Sequence, residues 1–203
     1  YKSTDPSGAE SAVTTGTLTI TAVNDAPTTE DDTASTDEDT DVDISITASD
    51  VESDDVTFSI VSDVSNGTTS LTDSTITYTP DTNYNGTDTF TYKANDGDDD
   101  SNASTITITV ASVNDTPTVS TVTDTTAEDT AADLTLSGAD VDGDDLTFSI
   151  VSDVSNGTTS LTDSTITYTP DTNYNGTDTF TYKANDGEDD SNTSTITITV
   201  ASV

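Results

Sequence analysis

The sequence predicts an all-β protein made of two tandem β-sandwiches with seven short strands each. Three observations predict this fold: apolar residues alternate with Thr and Ser, tight-turn dipeptides separate the alternating runs, and most of the chain occurs twice. Alternation with a period of two and β-branched partners is typical of half-buried strands. An apolar content of only 29% and a net charge of -37 would also fit intrinsic disorder. A disordered tract has no reason to keep strict alternation, so the folded interpretation is favoured.

An internal repeat defines the domain organisation. Residues 57–113 and 147–203 are identical at 55 of 57 positions, whereas 24–56 and 114–146 agree at 14 of 33. The chain therefore contains two complete repeats, 24–113 and 114–203. Residues 1–23 align with the end of a repeat and are expected to form its last strand or two, including an alternating strand at Thr17–Ala22. We expect the chain to be a section of a longer tandem array.

Turn signals divide each repeat into its strands. In the first repeat the turn signals are Asn66-Gly67, Pro80-Asp81 and Asn85-Gly86. The strands are expected at 28–34, 41–48, 56–62, 67–71, 74–79, 87–94 and 104–111. Seven short strands in about 90 residues are typical of an immunoglobulin-like Greek-key sandwich. The bulky part of a small core is expected to come from four aromatic residues: Phe58, Tyr78, Phe90 and Tyr92.

The charge balance restricts the partners. The chain carries 40 acidic residues against three lysines, with no Arg, His or Cys. Binding to nucleic acid through counterion release needs Lys and Arg, so nucleic acid is not an expected partner. An anionic membrane surface attracts basic segments, which this chain lacks, so a membrane surface is not expected either. No apolar run approaches the roughly 20 residues of a membrane-spanning helix. Absence of Cys removes thiolate metal sites, which leaves hard cations as the natural partners.

The acidic residues gather between the strands and near the joint between repeats. Four groups recur in both repeats: Glu38-Asp39 with Glu128-Asp129, Asp50-Val51-Glu52 with Asp140-Val141-Asp142, Asp96 with Asp186, and the linkers Val23-Asn24-Asp25-Ala26-Pro27 and Val113-Asn114-Asp115-Thr116-Pro117. The prolines stiffen the linkers, while Asn and Asp supply oxygen atoms. Calcium takes six to eight oxygen ligands, and carboxylates two apart at a strand end point to one side. The pattern predicts calcium-clamped hinges, although any single carboxylate could simply be solvated.

Several of these motifs carry a family resemblance. Asp140-x-Asp142, Ala184-Asn185-Asp186-Gly187 and Val113-Asn114-Asp115-Thr116-Pro117 resemble the calcium motifs of cadherin repeats. The stretch from Asn83 to Tyr92, with Tyr78-x-Pro80 and Asp96-Gly97, is similar to the bacterial cadherin-like tandem repeats of giant surface adhesins. The resemblance covers essentially the whole chain. It implies an immunoglobulin-like fold, calcium at domain junctions and an extracellular role on the bacterial cell surface.

The resemblance also implies a ligand set. The junction between the two repeats would use Glu38 from the first repeat, with Asn114, Asp115, Asp140, Asp142 and Asp186. The upstream junction would use Asn24, Asp25, Asp50, Glu52 and Asp96. One departure from the cadherin pattern is Ser112, which stands where cadherins carry the first linker Asp.

These expectations point to a calcium-stiffened extender within a large extracellular adhesin or biofilm surface protein. Its partners would be calcium ions, neighbouring repeats and cell-surface ligands. One alternative is a subunit of an extracellular filament or matrix in which strands are shared between chains, and another is a carbohydrate-binding module. An enzyme is the least expected class, because the chain lacks the His, Cys and Arg used in most acid–base and nucleophilic catalysis. Lys93 is expected to be an exposed charge, not half of an isopeptide crosslink.

Overall fold

The computed structural model describes residues 1–13, 15–21 and 23–203, and the chain divides into two compact units, Tyr1–Val110 and Ala111–Val203. The secondary structure is all-β, as the alternation predicts. No helix in the described part of the chain is long and apolar enough to cross a membrane.

The first unit is a two-sheet sandwich of seven strands. They are β1 (Asp32–Asp37), β2 (Val42–Ser45), β3 (Thr57–Ser62), β4 (Gly67–Thr72), β5 (Thr75–Pro80), β6 (Gly86–Asn95) and β7 (Ser104–Ala111). The last of these ends one residue beyond the unit boundary. A four-stranded sheet has the order β1-β7-β6-β3 and a three-stranded sheet the order β2-β5-β4. This is the Greek-key arrangement expected from the strand count.

The second unit repeats the sandwich with two additional short strands. Its elements are β8 (Thr118–Val119), β9 (Val122–Ala127), β10 (Ala132–Thr135), β11 (Gly138–Ala139), β12 (Thr147–Ser152), β13 (Gly157–Thr162), β14 (Thr165–Pro170), β15 (Gly176–Asn185) and β16 (Ser194–Ala201). The sheets have the orders β12-β15-β16-β9, β10-β14-β13 and β11-β8. Strand β9 runs parallel to β16, whereas the other strand pairs described in this unit are antiparallel.

The first predicted strand, 28–34, is wrong as a single element. Thr28 forms an isolated bridge with Ser49, and only from Asp32 does the chain join the four-stranded sheet as β1. Between them the N–H and carbonyl of Thr29 bond to the side chain of Asn102, which stands in for a strand partner. In the second unit β8 and β9 divide the same segment. The chain thus changes sheets at this point, and alternation alone does not reveal the change because both sheets face the same core.

Each core lies between the two sheets. In the first unit Tyr78, Phe90 and Tyr92 are buried as predicted, while Phe58 is half-buried and lies 6.3 Å from the ring of Tyr92. Both cores use the equivalent Ile, Tyr and Phe positions of β5, β6 and β7 or of β14, β15 and β16. Gly67 is required by a close approach, because a Cβ there would meet the Thr79 carbonyl at 2.4 Å. Asn66-Gly67 opens β4 and does not form a two-residue hairpin turn. That turn is Asp73-Ser74 between β4 and β5, where Asp73 has a φ of 54°.

The N-terminal segment repeats one hairpin of the sandwich but not its last strand. Ser3 N–H donates to the Ser11 hydroxyl at 3.0 Å, and Ser11 N–H donates to the Ser3 carbonyl at 2.8 Å. Ala94 and Ser101 form the same pair of bonds in the loop between β6 and β7, both at 2.9 Å.

No strand occurs in the described residues 15–21, so the strand expected at Thr17–Ala22 does not form there; Ala22 lies outside the described residues. Leu18 and Ile20 are both 85% exposed. The physical reason is that residues 1–23 contain no counterpart of β1 and only the last residues of a β6 counterpart, so the segment has no sheet to join.

Candidate metal centre

The linker at the start of the second unit is fastened to two acidic loops. Asp115 N–H donates to Asp142 Oδ2 at 2.8 Å, and the Ser112 hydroxyl donates to Asp142 Oδ1 at 3.3 Å. The Asn114 amide donates to Asp186 at 3.1 Å and to Asp189 at 3.3 Å. Asp142 lies in the loop before β12, and Asp186 and Asp189 lie in the loop between β15 and β16. Four of the six residues expected at this junction, Asn114, Asp115, Asp142 and Asp186, are therefore linked by hydrogen bonds within one unit.

The loop before β12 points three carboxylates at one another. Asp140 Oδ1 accepts the N–H groups of Gly143 at 2.9 Å and Asp144 at 3.1 Å, closing a tight turn in which Gly143 has a φ of 82°. Asp140, Asp142 and Asp144 each offer one carboxylate oxygen, and these oxygens lie within 4.8 Å of one another. The other oxygen, Asp140 Oδ2, is buried and accepts no hydrogen bond. A buried carboxylate oxygen without a donor is costly unless a cation faces it.

The loop between β15 and β16 holds Asp186 in its ionised form. Asp186 Oδ1 accepts the N–H groups of Asp189 and Glu188, both at 2.7 Å. The Asp189 N–H is the largest of several contributions that lower the pKa of the Asp186 carboxyl below its ordinary 3.8. The side chain thus remains an anionic oxygen donor well into acid.

The first unit contains a similar arrangement, with two substitutions in the loop before β3. The Asn24 amide donates to Asp96 at 3.1 Å and Asp99 at 3.2 Å, and Asp25 N–H donates to Glu52 Oε2 at 3.2 Å. Asp50 Oδ2, like Asp140 Oδ2, is buried and accepts no hydrogen bond. Here Glu52 and Ser53 replace Asp142 and Gly143. Among the described residues, a group of three carboxylates this close together occurs only in the second unit.

Glu38 lies in the turn that follows β1 and is only 5% exposed. Its equivalent in the second unit, Glu128, donates its N–H to the Ala201 carbonyl at 2.8 Å and accepts the Val203 N–H at 3.0 Å. This position therefore lies beside the end of the last strand of a repeat, where the linker to a following repeat begins. The contribution of Glu38 to a junction stays a prediction.

Sequence reasoning missed three carboxylates of these loops: Asp99 and Asp189, which accept from the linker Asn side chains, and Asp144. The repeated acidic spacing Asp140-x-Asp142-x-Asp144 was the available signal for one of them. Sequence reasoning also missed Asp88 and Asp178, which are 4% and 3% exposed and accept hydrogen bonds inside the sandwich. Asp178 accepts N–H groups from Ser155, Asn156 and Thr179. Asp88 and Asp178 share the inward positions of β6 and β15 with the buried Phe and Tyr that lie two and four residues further on, which was the signal for burial.

The donor set fits calcium. Every candidate ligand is a carboxylate, an amide or a backbone oxygen, the donors that hard cations prefer, and the chain contains no Cys or His. Three carboxylates converge and one buried oxygen lacks a hydrogen-bond donor. A divalent ion would neutralise the repulsion among them.

Two stretches of the chain match the family model of the bacterial Ig domain, at residues 24–109 and 114–199. The chain belongs to the bacterial Ig domain family. The two matches coincide with the two repeats. No curated protein matches the chain.

Solved structures similar to this pair of bacterial Ig domains include cadherin ectodomain repeats. Human mucin-like protocadherin EC1-2 has a TM-score of 0.55 and 18% identity, with 87% of this chain and 98% of that chain covered. Mouse cadherin-23 EC22-24 has a TM-score of 0.54 and 20% identity, with 89% and 64% covered. At this identity the likeness establishes the fold, and the expected cadherin-like sandwich is confirmed.

An endo-fucoidan hydrolase of glycoside hydrolase family 107 also matches, with a TM-score of 0.37 and 23% identity over 88% of this chain. The chain spans only 29% of that protein's length. A similarity this weak carries no argument about activity.

Bacterial Ig and cadherin-like domains are typically non-enzymatic and are usually extracellular or surface-exposed.

Proposed function

We propose that the two bacterial Ig domains are calcium-binding extender repeats of a large extracellular adhesin and serve no enzymatic role. Tandem bacterial Ig domains with a cadherin-like fold fit a repeat of an extracellular adhesin. The observation that carries the calcium assignment is the buried, donor-free Oδ2 of Asp140 beside the carboxylates of Asp142 and Asp144.

Calcium binding would act on the linker through contacts already present within the second unit. Asn114 and Asp115 are hydrogen-bonded to the same loops that hold the carboxylates. A cation held by Asp140, Asp142 and Asp186 would therefore restrain the linker residues as well. If Glu38 adds a ligand from the preceding repeat, as the position of Glu128 supports, the same cation would couple two repeats and stiffen the array.

A calcium titration of the whole chain tests this proposal. Isothermal titration calorimetry should give saturable binding of calcium, and differential scanning calorimetry should give a higher melting temperature in calcium than in chelator. At free calcium 10 to 100 times the dissociation constant, each site adds roughly 1.4–2.7 kcal/mol to the free energy of unfolding. Small-angle scattering should report less flexibility between repeats. Binding isotherms without saturation, with the same melting temperature in chelator, would overturn the calcium assignment.

The N-terminal hairpin supports a longer array. Its two hydrogen bonds between Ser3 and Ser11 match those of the hairpins that end β6 and β15. We therefore retain residues 1–23 as the end of another repeat.

A second candidate function is a filament subunit with strands shared between chains. The exposed Leu18 and Ile20, which alternate with threonines, favour it because they could complete a sandwich in another molecule. Single-particle imaging separates the two: end-to-end filaments with intermolecular strand pairing support the second function, and isolated rods support the extender.

A further inference from the structure

On the outer face of the four-stranded sheet in the second unit, three adjoining strands carry an array of threonines with no acidic residue among them. On its three adjoining strands, the outward positions are Thr123 and Thr125 of β9, Thr195, Thr197 and Thr199 of β16, and Thr177, Thr179 and Thr181 of β15. We call these eight residues the threonine face. The first charge along β15 is Lys183, which is paired with Asp190.

The strand register lines these side chains up in rows. Thr125, Thr199 and Thr177 are direct cross-strand neighbours, and so are Thr123, Thr197 and Thr179. Rows in such a sheet are separated by about 6.7 Å along the strands and the strands by about 4.8 Å. In the first unit the equivalent strands form the matching pairs Thr87–Thr109, Thr89–Thr107 and Thr91–Thr105. The two central strands of this sheet thus carry a regular surface of methyl and hydroxyl groups in both units.

The absence of acid from this face is unusual for the chain. Forty acidic residues are present, and the outer face of the other sheet carries one of them, Asp133, bonded to Thr167 at the centre of that sheet. The acids within β9 and β15 point the other way: Asp178 is buried, and Asp124 pairs with the buried Ile198. Threonine is a good strand former on any exposed face, so strand propensity explains the residue type but not the exclusion of charge from one sheet.

We propose that the threonine face is a lateral docking surface for a second copy of this chain. Two molecules that each carry a net charge of -37 repel one another, and contact is least opposed where both surfaces are neutral. The surface is complementary to itself, because each hydroxyl both donates and accepts hydrogen bonds and each methyl group offers apolar area.

The size of the face predicts a weak contact. Three strands about 4.8 Å apart and six residues long cover roughly 300 Å². A stable interface usually buries about 800 Å² on each partner, so a single pair of faces would associate only at high concentration. Repetition along an array multiplies such contacts, which suits side-by-side association of many-repeat molecules. This proposal does not depend on the calcium site.

Sedimentation velocity of the full chain, over a range of concentrations and in chelator, tests the proposal. In high salt, where repulsion is screened, the weight-average mass should rise with concentration. The double variant Thr107→Glu with Thr197→Glu, on the central strands of this sheet in both units, should lower the association constant more than about tenfold by burying unpaired carboxylates. The matched control is Thr79→Glu with Thr169→Glu, on central strands of the other sheet, which adds the same charge and should associate like the unchanged chain.

Three outcomes would overturn the proposal: a monomer at every concentration, equal losses in the two double variants, or association that requires calcium. A measurement on the unchanged chain guards against misfolded variants. Threonine methyl resonances of this face should shift with concentration in nuclear magnetic resonance spectra, while those of the other sheet stay constant. Shifts spread evenly over both sheets would also count against it.

Discussion

The backbone N–H of Asp115 donates a 2.8 Å hydrogen bond to the carboxylate of Asp142. This bond ties the linker to the loop that holds the converging carboxylates of the second unit. Its counterpart in the first unit, from Asp25 N–H to Glu52, is longer at 3.2 Å. The linker is therefore part of the candidate metal centre, and loss of the carboxylates should be felt in the linker as well as in the metal affinity.

Asp140→Asn combined with Asp142→Asn should abolish the calcium-dependent rise in the melting temperature that comes from the second unit. The amides keep the size of the side chains but remove two anionic ligands, so the stabilisation of roughly 1.4–2.7 kcal/mol per occupied site is lost. Differential scanning calorimetry in calcium and in chelator measures the effect. The control is Asp43→Asn with Asp133→Asn, which makes the same charge change on exposed strand positions. If the melting temperature of the Asp140→Asn, Asp142→Asn double variant rises with calcium as much as that of the unchanged chain, the ligand assignment is refuted.

Asp178→Ala should destabilise the second unit by about 1–3 kcal/mol, because it leaves several hydrogen-bond donors without an acceptor. The Asp178 carboxylate accepts from the N–H groups of Asn156 at 2.9 Å and Thr179 at 3.0 Å, and it is 3% exposed. The urea midpoint of unfolding measures the loss. Asp171→Ala, which removes an exposed carboxylate from a loop of the same unit, should have little effect. Equal midpoints for the two variants would show that Asp178 has no structural role.

Alternation and turn signals were enough to predict the fold. They located six of the seven strands of the first unit, with β6 and β7 to within a residue or so, because each strand has one buried face, and they placed β1 only in part. They could not predict the change of sheet between Thr28 and Asp32, since both halves of that segment keep the same inward positions. The strand expected at Thr17–Ala22 is absent over the described residues 17–21 for a different reason: a strand pattern forms a strand only when partner strands are present.

The candidate site was predictable in part. Asp140, Asp142 and Asp186 could be selected because acidic pairs recur at the same place in each repeat. Asp189 could not, because its role depends on the loop between β15 and β16 turning it toward Asn114. Asp178 was hidden by the general rule that acids are solvated, which fails where backbone N–H groups surround a carboxylate.

Lys93 and Asp100 should remain an ion pair and should not form an amide. Both side chains are substantially exposed, and the hydrogen bond from Lys93 is the main reason that the pKa of Asp100 lies below its usual value. Condensation requires an apolar setting that favours an uncharged amine and the loss of water, and both side chains here are exposed to water. Intact mass spectrometry should therefore give the mass of the sequence, and a mass lower by one water per repeat would contradict this. Replacing Lys93 with Met should change the free energy of unfolding by less than about 1 kcal/mol, as for other exposed pairs.

Alkaline pH should destabilise both units through Tyr78 and Tyr168. The pKa of each phenol is raised from 10.0 to about 12. Burial is the main cause, and the negative charge of the neighbouring Asp88 or Asp178 is the next. Since the folded-state pKa exceeds the unfolded value, the stabilisation is fully present below pH 10 and is lost as pH rises through 12. Ultraviolet titration of the phenolate should show these late ionisations, and Tyr78→Phe should remove one of them. Asp88→Asn should bring the Tyr78 ionisation to lower pH, because the amide no longer repels the phenolate; an unchanged titration would assign the shift to burial alone.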